Sequence, residues 1–119
     1  MTVSRGDVIL VNYPFSSGSG GKVRPAVVVQ SDHNNRRLAN TIVAMITRST
    51  ERAKREPTQF LLDPTTSEGQ ASGVLHPSAV KCENLLTVEQ QLIIRTIGHL
   101  PATTMQNIDG CLKASLHLR

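Results

Sequence analysis

The sequence predicts a mainly β, α+β fold: one domain built on an antiparallel sheet and finished by a C-terminal α-helix. Three observations carry that expectation. Three short, β-branched apolar runs fall within residues 1–47, which leaves no room for the helices that parallel crossovers need. Apolar residues recur at three- and four-residue spacing after Pro101, the period of a helix face. The 119 residues are 39% hydrophobic and 18% charged, which suits one globular core and argues against both a disordered chain and a two-domain enzyme.

Val8-Ile9-Leu10-Val11, bounded by Gly6-Asp7 and Asn12, reads as a buried strand that Tyr13-Pro14-Phe15 ends. Ser16-Ser17-Gly18-Ser19-Gly20-Gly21 has no side chain able to pack and reads as a mobile loop. It is either a long hairpin connection or a lid whose backbone approaches a ligand. Arg24-Pro25 opens the second strand, Ala26-Val27-Val28-Val29, with proline at the strand's first position, where its missing N–H costs little. Residues 31–37 form a polar loop, and residues 41–47 the third strand. A second basic loop at 48–57 leads to a fourth strand at 58–62. Gly69, Gly73 and Pro77 mark irregular chain before a strand at 78–82. Thr87 with Gln90 fits a capping box and predicts a short helix from Val88. Pro101 suits the first position of the last helix, whose inner face carries Met105, Ile108, Leu112 and Ser115 or Leu116. Gly110 inside it costs roughly 1 kcal/mol against Ala, so this helix depends on packing.

The net charge of +4 is unevenly placed. Residues 22–55 hold eight bases against two acids, Asp32 and Glu51, a balance of +6; the remainder has five bases against seven acids, a balance of −2. Arg36-Arg37 and Arg52-Ala53-Lys54-Arg55 are either solvated loop charges or the two banks of an anion-binding groove. One Tyr, two Phe and no Trp leave few rings for stacking bases.

Several chemistries find no support. Two cysteines, Cys82 and Cys111, make no disulfide framework, and read as small core residues in a reducing cytoplasm. No apolar run approaches the roughly 18 residues of a bilayer span, so a soluble protein with no membrane partner is expected. His33, His76, His99 and His117 are scattered, and neither they nor the cysteines have metal-ligand spacing, so neither metal nor cofactor is expected. The glycine-rich segment leads to a strand and lacks a Gly-Lys-Ser/Thr ending, which speaks against a phosphate loop. What remains is anion chemistry by arginine and hydroxyls. Arg24 precedes one strand and Thr47 ends its neighbour, so antiparallel pairing would bring both to one edge of the sheet. There a guanidinium grips two phosphate oxygens and a hydroxyl adds a third bond. Taken singly, each is also an ordinary surface arginine and strand-end threonine.

Arg5-Gly6-Asp7-Val8, the Gly/Ser loop leading into Val23-Arg24-Pro25-Ala26-Val27-Val28-Val29-Gln30-Ser31-Asp32, and Ile42-Val43-Ala44-Met45-Ile46-Thr47 together resemble the MazF/PemK/Kid family of toxin endoribonucleases. So do Ser78-Ala79-Val80, Leu86-Thr87-Val88 and the terminal helix, so the resemblance spans residues 1–119 as a single toxin domain. It implies a small SH3-like antiparallel β-barrel with short helices, assembled as a homodimer. It also implies metal-independent cutting of single-stranded RNA, often mRNA, at short motifs, and a cognate antitoxin that lays an acidic C-terminal tail over the RNA groove. The family's catalytic arginine falls on Arg24 and its catalytic threonine on Thr47. Ser19, Gly20 and Lys22 before the second strand and Arg48, Ser49 and Arg52 after the third are the expected substrate-binding residues. Many members have Gly-Ser-Glu-Gln in the first loop, where this chain has Gly18-Ser19-Gly20-Gly21 and no acid. Two other readings stand beside this one. A gyrase poison on the same barrel, resembling CcdB, relies on a C-terminal Trp, and this chain ends Leu116-His117-Leu118-Arg119. A noncatalytic nucleic-acid module would bind through Arg36, Arg37, Arg52, Lys54 and Arg55.

Overall fold

The structure, a computed structural model, describes residues 2–14 and 17–119. The parts of the expected strand end and loop that fall on Phe15 and Ser16 lie outside the described residues. Six strands, β1 (Asp7–Pro14), β2 (Gly21–Val28), β3 (Asn40–Thr47), β4 (Gln59–Leu62), β5 (Ser78–Glu89) and β6 (Arg95–His99), form one sheet in the order β4-β5-β3-β2-β1-β6. Every pairing is antiparallel. Helices α1 (Asp32–Arg37), α2 (Ser67–Ser72) and α3 (Ala102–Leu116) complete the fold. The sheet curls as a half-barrel whose free ends are β4 and β6, the barrel-like mainly β architecture with short helices and a C-terminal helix that the resemblance implies.

The unbroken apolar runs have a structural cause. Along each central strand, successive side chains go to opposite faces, and both faces are buried. Val8, Val27, Ala44 and Ile46 enter a core under α3 with Leu62, Val80, Met105 and Ile108. Ile9, Ala26, Val28, Val43 and Met45 enter a second core with Val3 and Ile93. A register shift in the β3–β5 pairing takes the partner of Ala44 from Leu85 to Lys81 for Met45, leaving Cys82, Glu83 and Asn84 unopposed on β3. Such an excess of residues on one strand bends it and increases the local twist, so β5 can serve both β3 and β4.

Several local expectations are corrected. Tyr13 and Pro14 do not stop β1 short but are its last two residues, paired with Lys22 and Gly21. Pro25 lies inside β2, opposite Leu10, and is tolerated because β2 pairs with β3 only from Ala26 onward. Residues 32–37 are helical: the Ser31 hydroxyl accepts the Asn34 N–H at 3.2 Å, and buried Asn35 accepts from Gln30 Nε2 at 3.0 Å and from Thr41 Oγ1 at 2.7 Å. Irregular chain was expected around Gly69, but α2 stands there, capped by Thr66, whose hydroxyl accepts the Gly69 N–H. The short helix expected from Val88 does not start there, because Thr87 and Val88 pair with Ile42 and Thr41 in a much longer β5, and only a single 3-10 turn follows at Gln90–Leu92. Gln90, read as the capping partner, instead accepts the Val3 N–H at 3.0 Å and donates to the Asn35 carbonyl at 2.8 Å, tying three segments together. Cross-strand pairing outweighed a local capping signal. No pattern marked β6. In α3, Met105, Ile108 and Cys111 are buried and Leu112 packs against them, whereas Leu116 is 52% exposed; Pro101 is the cap residue just before the helix.

Candidate functional site

The site arises where two strands part. The β2–β3 pairing runs from Val28–Val43 to Ala26–Met45 and stops there. Arg24 and Thr47 each lie two residues beyond this last pair, and both line the gap that opens there. The first half of β2, from Gly21 to Pro25, bonds only to β1, and the gap it leaves beside β3 belongs to a groove of about 800 Å³. Leu10, Pro25 and Ile46 give it an apolar part. Lys22 and Arg24 of β2, Thr47 with Arg48 and Ser49 after β3, Arg95 and Thr96 of β6, and His76 and Ser78 before and at the start of β5 give it polar walls.

Arg24 is half-buried, and its guanidinium carbon lies 5.8 Å from the centroid of the Tyr13 ring. That separation is near the outer limit of a cation–π contact, enough to favour one side-chain orientation without consuming an N–H donor. Thr47 Oγ1 accepts the Ser49 N–H at 3.2 Å. The bond uses one lone pair and orients the hydroxyl oxygen while its O–H stays available to donate. Among the lining residues are four cations, Lys22, Arg24, Arg48 and Arg95, and no Asp or Glu. Arginine does not lose its proton at neutral pH, so the groove has a fixed positive field suited to a polyanion.

The wall that carries His76 is held by close backbone approach. Gly73 caps α2 in the left-handed region, φ 78°, and a Cβ there would lie 2.2 Å from the Ile97 carbonyl oxygen. A Cβ on Gly98 would lie 2.3 Å from the Ala71 carbonyl oxygen. Glycine on both sides lets the end of α2 rest directly on β6, fixing the segment from Val74 to His76 against the Arg95–Ile97 wall.

Of the residues singled out from sequence, Lys22, Arg24, Thr47, Arg48 and Ser49 line this groove, and Ser19, Gly20 and Arg52 do not. Ser19 and Gly20 are exposed in the connection before β2, and Arg52 is exposed on a single 3-10 turn at Arg52–Lys54. Arg95 and His76 were missed as site residues. Arg95 sits on a strand that no periodicity revealed, and His76 has no carboxylate neighbour in sequence to mark it. Cys82 of β5 and Cys111 of α3 are buried in the core between sheet and helix, and neither lines the groove. Burial pushes the Cys82 thiol up to about 12 and raises that of Cys111 as well. Among the described residues, no three His, Cys, Asp or Glu side chains gather as a metal site, and no helix is long and apolar enough to cross a membrane.

Residues 4–116 match the profile of the PemK-like, MazF-like toxin of type II toxin-antitoxin systems. The chain belongs to this toxin family. It is 34% identical over 119 residues to Endoribonuclease EndoA of Bacillus subtilis (strain 168), covering 99% of this chain and 97% of that one. It is 32% identical over 120 residues to Endoribonuclease MazF6 of Mycobacterium tuberculosis (strain ATCC 25618 / H37Rv), covering 99% and 100%. Its fold is similar to that of an endoribonuclease in complex with its cognate antitoxin from a mycobacterial species, with TM-score 0.78, 19% identity and coverage of 98% and 97%. A MazE-MazF structure from Deinococcus radiodurans aligns over the full length of both chains with TM-score 0.73 and 17% identity. At those identities the two structures speak to the fold of this PemK/MazF member alone.

Proposed function

We propose that this toxin cuts single-stranded RNA, mRNA included, in the cationic groove by a metal- and cofactor-independent transesterification. That it is an endoribonuclease of a toxin–antitoxin system rests on the family and on relatives named for that activity. The observation that carries the finer reading is the groove itself, where Arg24 and Thr47, remote in sequence, share one lining with Lys22, Arg48 and Arg95 and no carboxylate. In the proposed step the ribose 2′-oxygen attacks the adjacent phosphorus and the bond to the 5′-oxygen breaks. The products are a 2′,3′-cyclic phosphate and a 5′-hydroxyl end. Arg24 keeps its proton and holds the non-bridging oxygens where negative charge grows, and Thr47 donates its hydroxyl to the same phosphoryl group. Lys22, Arg48 and Ser49 hold neighbouring phosphates, and Ser19, Gly20 and Arg52 meet RNA beyond the groove. With Tyr13 beside Arg24 and few other rings in the chain, phosphate contacts outweigh base stacking.

A cytoplasmic homodimer neutralised by an antitoxin with an acidic tail completes the proposal. A groove lined by four cations and no acid would receive such a tail as readily as RNA. The test is incubation of purified protein with long single-stranded RNA in excess EDTA, with chemical mapping of both new ends. Cutting is expected to persist on chelation, and Arg24→Ala is expected to lower kcat by about a hundredfold or more. Loss of cutting in EDTA, or undiminished cutting by Arg24→Ala, overturns the mechanism.

A further inference from the structure

Attack by the 2′-oxygen requires a group that takes its proton, and the groove offers little choice. Lys22 and Arg24 from β2, Arg48 after β3 and Arg95 from β6 are protonated cations that donate and do not accept. Among the described residues, no carboxylate lines the groove, and the hydroxyls of Thr47, Ser49, Ser78 and Thr96 are weak bases. His76 remains. Histidine is the side-chain type whose unperturbed charge change lies near neutrality, and its neutral ring has one nitrogen free to accept a proton.

The segment that carries His76 is also held against the groove. Thr47 pairs with Ala79, three residues along the chain from His76. The Ser78 hydroxyl donates to the His76 carbonyl at 2.8 Å, and Gly73 anchors the same segment on Ile97 from the other side. Its side chain is exposed to the groove, and its ring nitrogens make no hydrogen bond to the described residues.

Building on the proposed RNA cleavage, we infer that His76 is the general base of this site, accepting the ribose 2′-hydroxyl proton as the oxygen–phosphorus bond forms. A neutral imidazole nitrogen takes the proton, the 2′-oxygen bonds to phosphorus, and the 5′-oxygen departs with a proton from solvent water. The imidazolium then returns its proton to the hydroxide so formed, which restores the neutral base. His76 thereby supplies in this chain a proton acceptor that its first loop, Gly18-Ser19-Gly20-Gly21, does not contain.

The experiment is a pH–rate profile on a single-stranded RNA oligonucleotide carrying a mapped cleavage site, for the parent protein, His76→Ala and Arg24→Ala. Binding of an uncleavable oligonucleotide with 2′-deoxyribose at that site is measured alongside. The parent kcat/KM is expected to rise about tenfold per pH unit on the acid side and then level off. His76→Ala is expected to lose about a hundredfold or more in kcat together with that rise, to bind the uncleavable oligonucleotide like the parent, and to regain cutting when free imidazole is added. Parent-like rate and pH profile in His76→Ala, with Arg24→Ala inactive, overturn the assignment of His76 and leave the cleavage reading standing. Weakened binding without imidazole rescue assigns His76 a structural role and overturns its role as base. A parent protein that cuts no RNA overturns both.

Discussion

The same substitution at two glycines should move stability in opposite directions. At Gly73 an added Cβ would lie 2.2 Å from the Ile97 carbonyl oxygen and 2.9 Å from its carbon, and φ is 78°. Both contacts are with backbone, so no flexible side chain can swing away. Left-handed strain contributes about 1–2 kcal/mol, and forcing the end of α2 off β6 costs about 1–3 kcal/mol more. The sum, about 2–5 kcal/mol, is a large share of the roughly 5–15 kcal/mol that holds a domain together. Gly110 lies exposed within α3, and a Cβ there would meet nothing within 4 Å. Alanine should therefore add about 1 kcal/mol through helix propensity alone. Urea unfolding followed by circular dichroism measures both. With m of about 2 kcal/mol per M, Gly73→Ala should lower the midpoint by about 1–2.5 M and Gly110→Ala should raise it by about 0.5 M. A Gly73→Ala midpoint within about 0.3 M of the parent would refute the close approach of α2 to β6 as a source of stability, and a lowered Gly110→Ala midpoint would refute the helix-propensity argument.

Thr47→Val preserves shape and removes the hydroxyl, so single-turnover RNA cleavage should slow by about a hundredfold while the urea midpoint hardly moves; an unslowed variant removes Thr47 from the chemistry. The Asp32 carboxyl is held below its usual 3.8, chiefly by the Arg5 N–H at 2.7 Å with help from Asn35. Because the folded value is the lower one, its contribution to stability is complete above the unfolded value and is lost as pH falls through the folded value. The midpoint should therefore fall below about pH 4, and Asp32→Asn should flatten that fall; an identical acid limb in the variant would contradict the linkage. Cys82, buried with its thiol at about 12, should resist a thiol-labelling reagent at neutral pH until the protein unfolds, and rapid labelling of the native protein would count against its place in the core.

Much of the sheet was legible because strand formation leaves a local trace. Residues 8–11, 26–29 and 41–47 show β-branched runs, and strands buried on both faces demand such runs. Helices α1 and α2 left weaker signals, because Asn35 and Gly69 look like loop residues until their partners, Gln30, Thr41 and Thr66, are in place. The Thr87–Gln90 capping signal was genuine as local chemistry and failed because β3 offered Thr87 a partner. That Arg24 and Thr47 share one edge of the sheet was legible through a register argument, and both line the groove. That Arg95 and His76 line the same groove was not legible, since neither bears a local mark of what lies across it.

Adjacent residues alone decide that the chain is mainly β, that it ends in a packing-dependent helix, and that positive charge concentrates within residues 22–55. These are properties of period, side-chain branching and charge count, which need no knowledge of distant partners. Packing alone decides that Lys22 and Arg48 share a groove with Arg95, which lies outside the basic window, that Arg52 does not line it, and that His76 does. The reason is that the groove exists only where β2 leaves β3 and α2 rests on β6. Its membership follows from registers and close approaches between segments tens of residues apart, and no local pattern encodes those.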